Sequence, residues 1–142
     1  MMTKITPEQQ IEDSKTIIKT ILNLQIHPDM QEKVIDIMIW NITGAYGKYQ
    51  LPYISLSAKN NPDVKIIHEH VYKRKTMVKK ILDAKIDLEI ILDQAFGCNV
   101  TEEEHKKLNK IDKENPLIDG WQRYELADIK VFDIRANKEL TY

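Results

Sequence analysis

Much of what would mark a specialised environment is missing from this chain. Cys98 is the single cysteine among 142 residues, so no internal disulfide can form and a reducing, cytoplasmic setting is expected. No apolar run approaches the ~20 residues that a membrane-spanning helix needs, so no membrane partner is expected. The opening Met1-Met2-Thr3-Lys4-Ile5-Thr6-Pro7-Glu8 lacks the apolar core of a secretory signal. A formal net charge of −1 leaves no basic excess over the whole chain, so contact with nucleic acid has to be local. There is no internal repeat, no low-complexity segment and no dividing linker. With 42% hydrophobic and 30% charged residues, residues 1–142 read as a single domain.

What is present divides into a helical part and a strand-bearing part. Thr6-Pro7-Glu8-Gln9 combines an N-cap, a proline at the first helical position and a glutamine that closes the capping box. Ile11, Ser14, Ile18, Ile21 and Leu22 then form a helical stripe, and His27-Pro28 breaks it. Met30, Val34, Ile37, Met38 and Asn41 lie on one face of a second helix, which Ile35, Ile39 and Trp40 broaden. The two helices read as an antiparallel hairpin over residues 1–45, with more apolar surface than one hairpin uses. A homo-oligomer through these helices is therefore expected. Further on, Val64 to Val71 reads as a strand, with helices around Met77 to Leu82 and from Asp87 to Ala95. Cys98-Asn99-Val100 reads as a short extended piece before a capped helix. Two more strands are expected within 119–136, one at Trp121-Gln122-Arg123-Tyr124 and one at Ile129 to Ile134. The fold class is α+β.

Three of the four histidines fall in two short words. In Ile66-Ile67-His68-Glu69-His70-Val71 the period of a strand puts His68 and His70 on one face and Glu69 on the other. In Thr101-Glu102-Glu103-Glu104-His105 a second capping box makes Thr101 the N-cap and places His105 in the first turn. The positive end of the helix dipole there favours a neutral imidazole, the form that ligates a metal or accepts a proton. A strand-plus-helix metal or acid–base site is one reading of these words. Core histidines at 68 and 70, with a solvent-facing His105, are the other. Lys73, Arg74 and Lys75 are either phosphate contacts beside such a site or part of a solvated helix face. Cys98 reads as a small buried hydrophobe. Trp121, Tyr124 and Phe132 read as core rather than as a base-stacking platform.

His68-Glu69-His70-Val71, followed by Cys98-x-Val100-Thr101-x-x-Glu104-His105-x-x-Leu108, resembles the core of the HNH (His-Me finger) endonucleases over residues 62–112. The resemblance implies a ββα-metal core and a metal-dependent nuclease. It implies Glu69 or His68 as first metal ligand, His70 as catalytic general base and His105 as second ligand. The ion is Mg, Mn, Zn or Ni, which these ligand types do not separate. DNA or RNA is the implied partner, with Lys73, Arg74 and Lys75 as nucleic-acid contacts. Two departures stand out: a stretch long enough for two helices, Tyr72 to Phe96, separates the two strands, and Asn99 is the only stand-in for the family's orienting asparagine. The chain is also similar to a family of small uncharacterised prokaryotic and phage proteins, through Gly47-Lys48-Tyr49, the two histidine words and Gly120-Trp121-x-Arg123-Tyr124. That likeness implies phage or defence biology. The alternative function is a non-catalytic interaction protein of the same fold, binding a protein or nucleic-acid partner.

Overall fold

The computed structural model describes residues 3–142; Met1 and Met2, part of the opening segment read above, lie outside them. In chain order the elements are α1 (Pro7–Leu22), α2 (Pro28–Thr43), a 3-10 turn (Lys48–Gln50), β1 (Tyr53–Ser55), α3 (Leu56–Asn60), β2 (Ile66–His70), α4 (Arg74–Asp83), α5 (Leu88–Leu92), β3 (Gly97–Thr101), α6 (Glu102–Glu114), α7 (Trp121–Leu126), β4 (Val131–Asp133) and β5 (Lys138–Glu139). They form two compact units, one of residues 1–47 and 74–95 and one of residues 48–73 and 96–142. Residues 74–95, which separate two strands in the sequence, thus belong with the N-terminal helices.

The first unit is helical, for reasons visible in its caps and stripes. The Thr6 hydroxyl accepts from the Gln9 amide at 3.1 Å, and His27 caps α2 by accepting from the Asp29 amide through Nδ1 at 3.1 Å. Ile18, Ile35 and Ile39 are fully buried, each worth roughly 1.5–3 kcal/mol of removed apolar surface. The α1–α2 pair is pinned by side-chain amides: Gln10 donates to the Asn41 carbonyl and Gln31 to the Ile21 carbonyl.

The second unit is built on a five-stranded mixed sheet, in the order β2-β3-β1-β4-β5. Only β1 and β3 pair in parallel; the other neighbours are antiparallel. Val71, Cys98, Val100, Leu108, Tyr124, Ile129 and Val131 fill its core. The α+β class and the N-terminal helical pair agree with the expectation. β3 leads directly into α6 and pairs antiparallel with the edge strand β2, from which α4 and α5 separate it along the chain.

One element differs in kind. Trp121 to Tyr124 is the start of α7, not a strand. Gly120 turns the chain at φ 66° with the Tyr72 ring packed against it, where an added Cβ would lie 2.6 Å from a ring carbon. From that turn a helix places Tyr124 and Ala127, three residues apart, on the core side. The density of aromatic residues suggested a strand; the glycine turn and tertiary packing override it.

Candidate functional site

The side chains of β2 are sorted by the pleat. Glu69 faces α6 and α7, whereas His68 and His70 lie on the opposite face, stacked at 5.4 Å between ring centroids. Position 97 has no side chain, and this makes room for the stack: a Cβ there would sit 2.5 Å from His68 Nε2. Asn99 is directly across from His68 in the strand register, and its amide donates to the Lys48 carbonyl at 2.8 Å. His70 is 8% exposed.

On the Glu69 face the capped helix delivers His105. Thr101 Oγ1 accepts from the Glu104 amide while Glu104 Oε1 accepts from the Thr101 amide, and Ser55 donates to the same carboxylate. The box holds the first turn of α6 against the sheet and is worth about 1 kcal/mol. His105 Nδ1 then lies 2.6 Å from Glu69 Oε2. One turn on, Asn109 Nδ2 lies 3.2 Å from His105 Nε2. The imidazole keeps 34% of its surface exposed, whereas Glu69 keeps 11%.

Behind Glu69 is a buried cation. Arg123 is 1% exposed, and every N–H of its guanidinium has a partner. Nε and Nη2 donate to the two oxygens of Asp112 at 2.8 and 2.9 Å. Nη2 also donates to Glu69 Oε1 at 3.1 Å. Nη1 donates to the carbonyls of His70 and Val71 at 3.0 and 2.9 Å. Burial works against the charge, but Asp112 and then Glu69 outweigh it and hold the guanidinium above its ordinary pKa. Two carboxylates against one guanidinium leave a local excess of negative charge beside His105.

The structure therefore brings Glu69 and His105 together and leaves His68 and His70 on the other face. Lys73 is occupied, its ammonium donating to the Pro116 carbonyl at 2.7 Å and its amide to Asp119 at 2.8 Å. In the helical unit, Arg74 pairs with Asp36 at 3.3 Å and lies over the Trp40 ring at 4.8 Å, while Lys75 is exposed. Cys98 is fully buried; burial pushes its thiol well above its ordinary pKa, with Glu104 adding to the rise. A thiol in that state is no nucleophile at neutral pH.

Three residues of the cluster carry no site role in the sequence reading. Asn109 and Asp112 follow His105 at helical spacings of four and seven, so a wheel drawn from His105 finds both. Arg123 had no comparable signal, because a strand reading hides its place on a helix.

Among the described residues, no group of three or more His, Cys, Asp or Glu side chains is arranged to hold a metal ion. A closed four-ligand site of structural-zinc type is therefore not formed. A hard divalent ion that keeps water and takes phosphate oxygens needs only one or two protein donors. Of the donors here, Glu69 and His105 are the carboxylate and imidazole that lie side by side. The chain matched no protein-family model, no curated protein and no solved structure.

Proposed function

We propose that the chain is a phosphodiesterase of HNH-like kind, cleaving DNA or RNA with a divalent ion held by Glu69 and His105. The observation that carries this reading is the 2.6 Å pairing of a sheet carboxylate with a helix imidazole across an antiparallel strand pair and its following helix. An ion bound there would replace the direct Glu69–His105 hydrogen bond of the metal-free protein, polarise the scissile phosphate and stabilise the leaving oxygen. The protein's own part is positional: the capping box orients His105, and the pleat of β2 orients Glu69. His70, on the opposite face of β2 from that pair and 8% exposed, is not placed to take a proton from water on such an ion, so the base of this reading is a second water or the substrate phosphate.

A second, metal-free reading draws on the Asn109 contact. Glu69 accepts the Nδ1 proton of His105, and Asn109 donates toward Nε2. His105 is then a carboxylate-oriented base in its own right.

Plasmid DNA and single-stranded RNA, incubated with Mg, Mn, Ni or Zn and again with EDTA, separate these readings. The metal reading predicts cleavage that EDTA abolishes and that falls at least ~100-fold in His105→Ala, with His70→Ala, altered on the other face, keeping both cleavage and ion binding. Cleavage that survives EDTA and the loss of His70 but not of His105 supports the metal-free base. Absence of cleavage under every condition leaves the interaction-protein reading.

We further propose that the chain self-associates through its N-terminal helices. Met30, Val34, Ile37 and Asn41 repeat at the four- and three-residue steps of a helical seam, and Met30 and Ile37 are 51% and 55% exposed. Light scattering at micromolar concentration is expected to give more than a monomer mass for the wild type and a monomer mass for Ile37→Glu. A monomeric wild type contradicts the proposal.

A further inference from the structure

We infer that Arg123 is the positioning residue of this site, fixing through Glu69 which nitrogen of His105 carries the proton. A guanidinium donates at every nitrogen and accepts at none. Its grip on Glu69 Oε1, at 3.1 Å, occupies that oxygen and leaves Oε2 facing His105 Nδ1 at 2.6 Å. A carboxylate can only accept, so Nδ1 must carry the hydrogen. The lone pair of the neutral ring is then on Nε2, toward Asn109, whose Nδ2 lies 3.2 Å away and can donate to it. Polarity thus runs one way along the chain Arg123, Glu69, His105, Asn109.

The rest of the fork explains why the grip does not drift. Asp112 takes two N–H groups in bidentate fashion, and the carbonyls of His70 and Val71 take the two on Nη1. One planar group therefore clamps α6, the end of β2 and the Glu69 carboxylate in a single orientation. A lysine at 123 keeps the charge but offers a point donor in place of the fork. It cannot hold Glu69, Asp112 and two carbonyls together, and Glu69 becomes free to rotate.

The inference rests on the proposed function only for its catalytic consequence, and its test needs no activity. Nitrogen-15 NMR of the metal-free protein in EDTA reads the tautomer of His105 directly, with the signal assigned by its loss in His105→Ala. The wild type is expected to show the Nδ1–H form alone. Arg123→Lys, checked for a folded amide spectrum, is expected to shift to a mixture with the Nε2–H form. Glu69→Gln should also lose the single tautomer, because an amide can donate as well as accept. Where Arg123→Lys does not fold, Asp112→Asn loosens the same fork and is expected to give a smaller shift in the same direction. A wild type dominated by Nε2–H overturns the inference, as does a folded Arg123→Lys (or, in its place, Asp112→Asn) with the wild-type tautomer. Failure of the cleavage assay with these tautomer results intact would remove the nuclease reading alone.

Discussion

The two faces of β2 carry titratable side chains at three consecutive positions and treat them differently. On the α6 side, Glu69 enters a network in which a buried arginine, a second carboxylate and two backbone carbonyls specify its orientation. On the other side, His68 and His70 stack on each other where Gly97 offers no side chain. Electrostatic definition suits a group that must present a set charge to a ligand. The same network gives His105, a partly exposed imidazole on a helix surface, a contact at both ring nitrogens.

The comparison breaks hardest at Arg123. Arg123→Met removes the cation and leaves Glu69 and Asp112 unpaired, which should cost about 3–5 kcal/mol. Chemical denaturation checks this; a cost below about 1 kcal/mol would mean that the network is not the organiser of its face. The steric face is tested at Gly97. An added Cβ collides with the His68 ring, so Gly97→Ala should destabilise by about 1–3 kcal/mol. Much of that loss should be recovered in the Gly97→Ala, His68→Ala double variant, because the two positions share the clash. Additive effects of the two changes would place the stack elsewhere.

Alkaline pH sharpens the same contrast from inside the core. Burial raises the Cys98 thiol and the Tyr124 hydroxyl well above their ordinary values. The folded chain therefore keeps a proton on Cys98 that the unfolded chain releases above about pH 8.5. Stability should be unaffected by Cys98 below that pH and fall as pH rises past it, by at most about 1.4 kcal/mol per unit per group, with Tyr124 adding above about pH 10. Thermal melts from pH 7 to 10.5 should show a decline that is shallower in Cys98→Ala; an identical slope in that variant would exclude the thiol. The smallest effect is at the helix start. Thr101→Ala should cost about 1 kcal/mol and disturb the His105 signal more than those of His68 and His70. Equal disturbance of all three would show that the two faces are not independent.

Much of this organisation was legible from residues whose preferences are local. Thr6-Pro7 and Thr101-x-x-Glu104 both mark helix starts; the Thr101 box forms as read, whereas at Thr6 only the hydroxyl caps and the Gln9 side chain turns to Asp13 instead of closing a box. The pleat assigned His68 and His70 to one face and Glu69 to the other from spacing alone. What escaped depends on contacts distant in sequence. Arg123 reaches Glu69 across 54 positions, and no periodicity announces such a partner. Residues 74–95 read as an insertion between two strands, yet they join the N-terminal helices, because helix packing is decided by apolar faces rather than by order along the chain. Trp121 to Tyr124 was misread as a strand for the complementary reason: aromatic content is a weak local signal, and the glycine turn at 120 is what starts α7.

The central claim, that the Glu69–His105 face is the ligand site, is tested most directly by calorimetric titration of Mn2+ into the metal-free protein. The wild type should take up about one ion per chain through one or two carboxylate and imidazole donors. Glu69→Gln and His105→Ala should abolish that uptake, while His68→Ala, altered on the other face, should retain it. A wild type that binds no ion, or binding lost in His68→Ala but kept in Glu69→Gln and His105→Ala, would contradict the account.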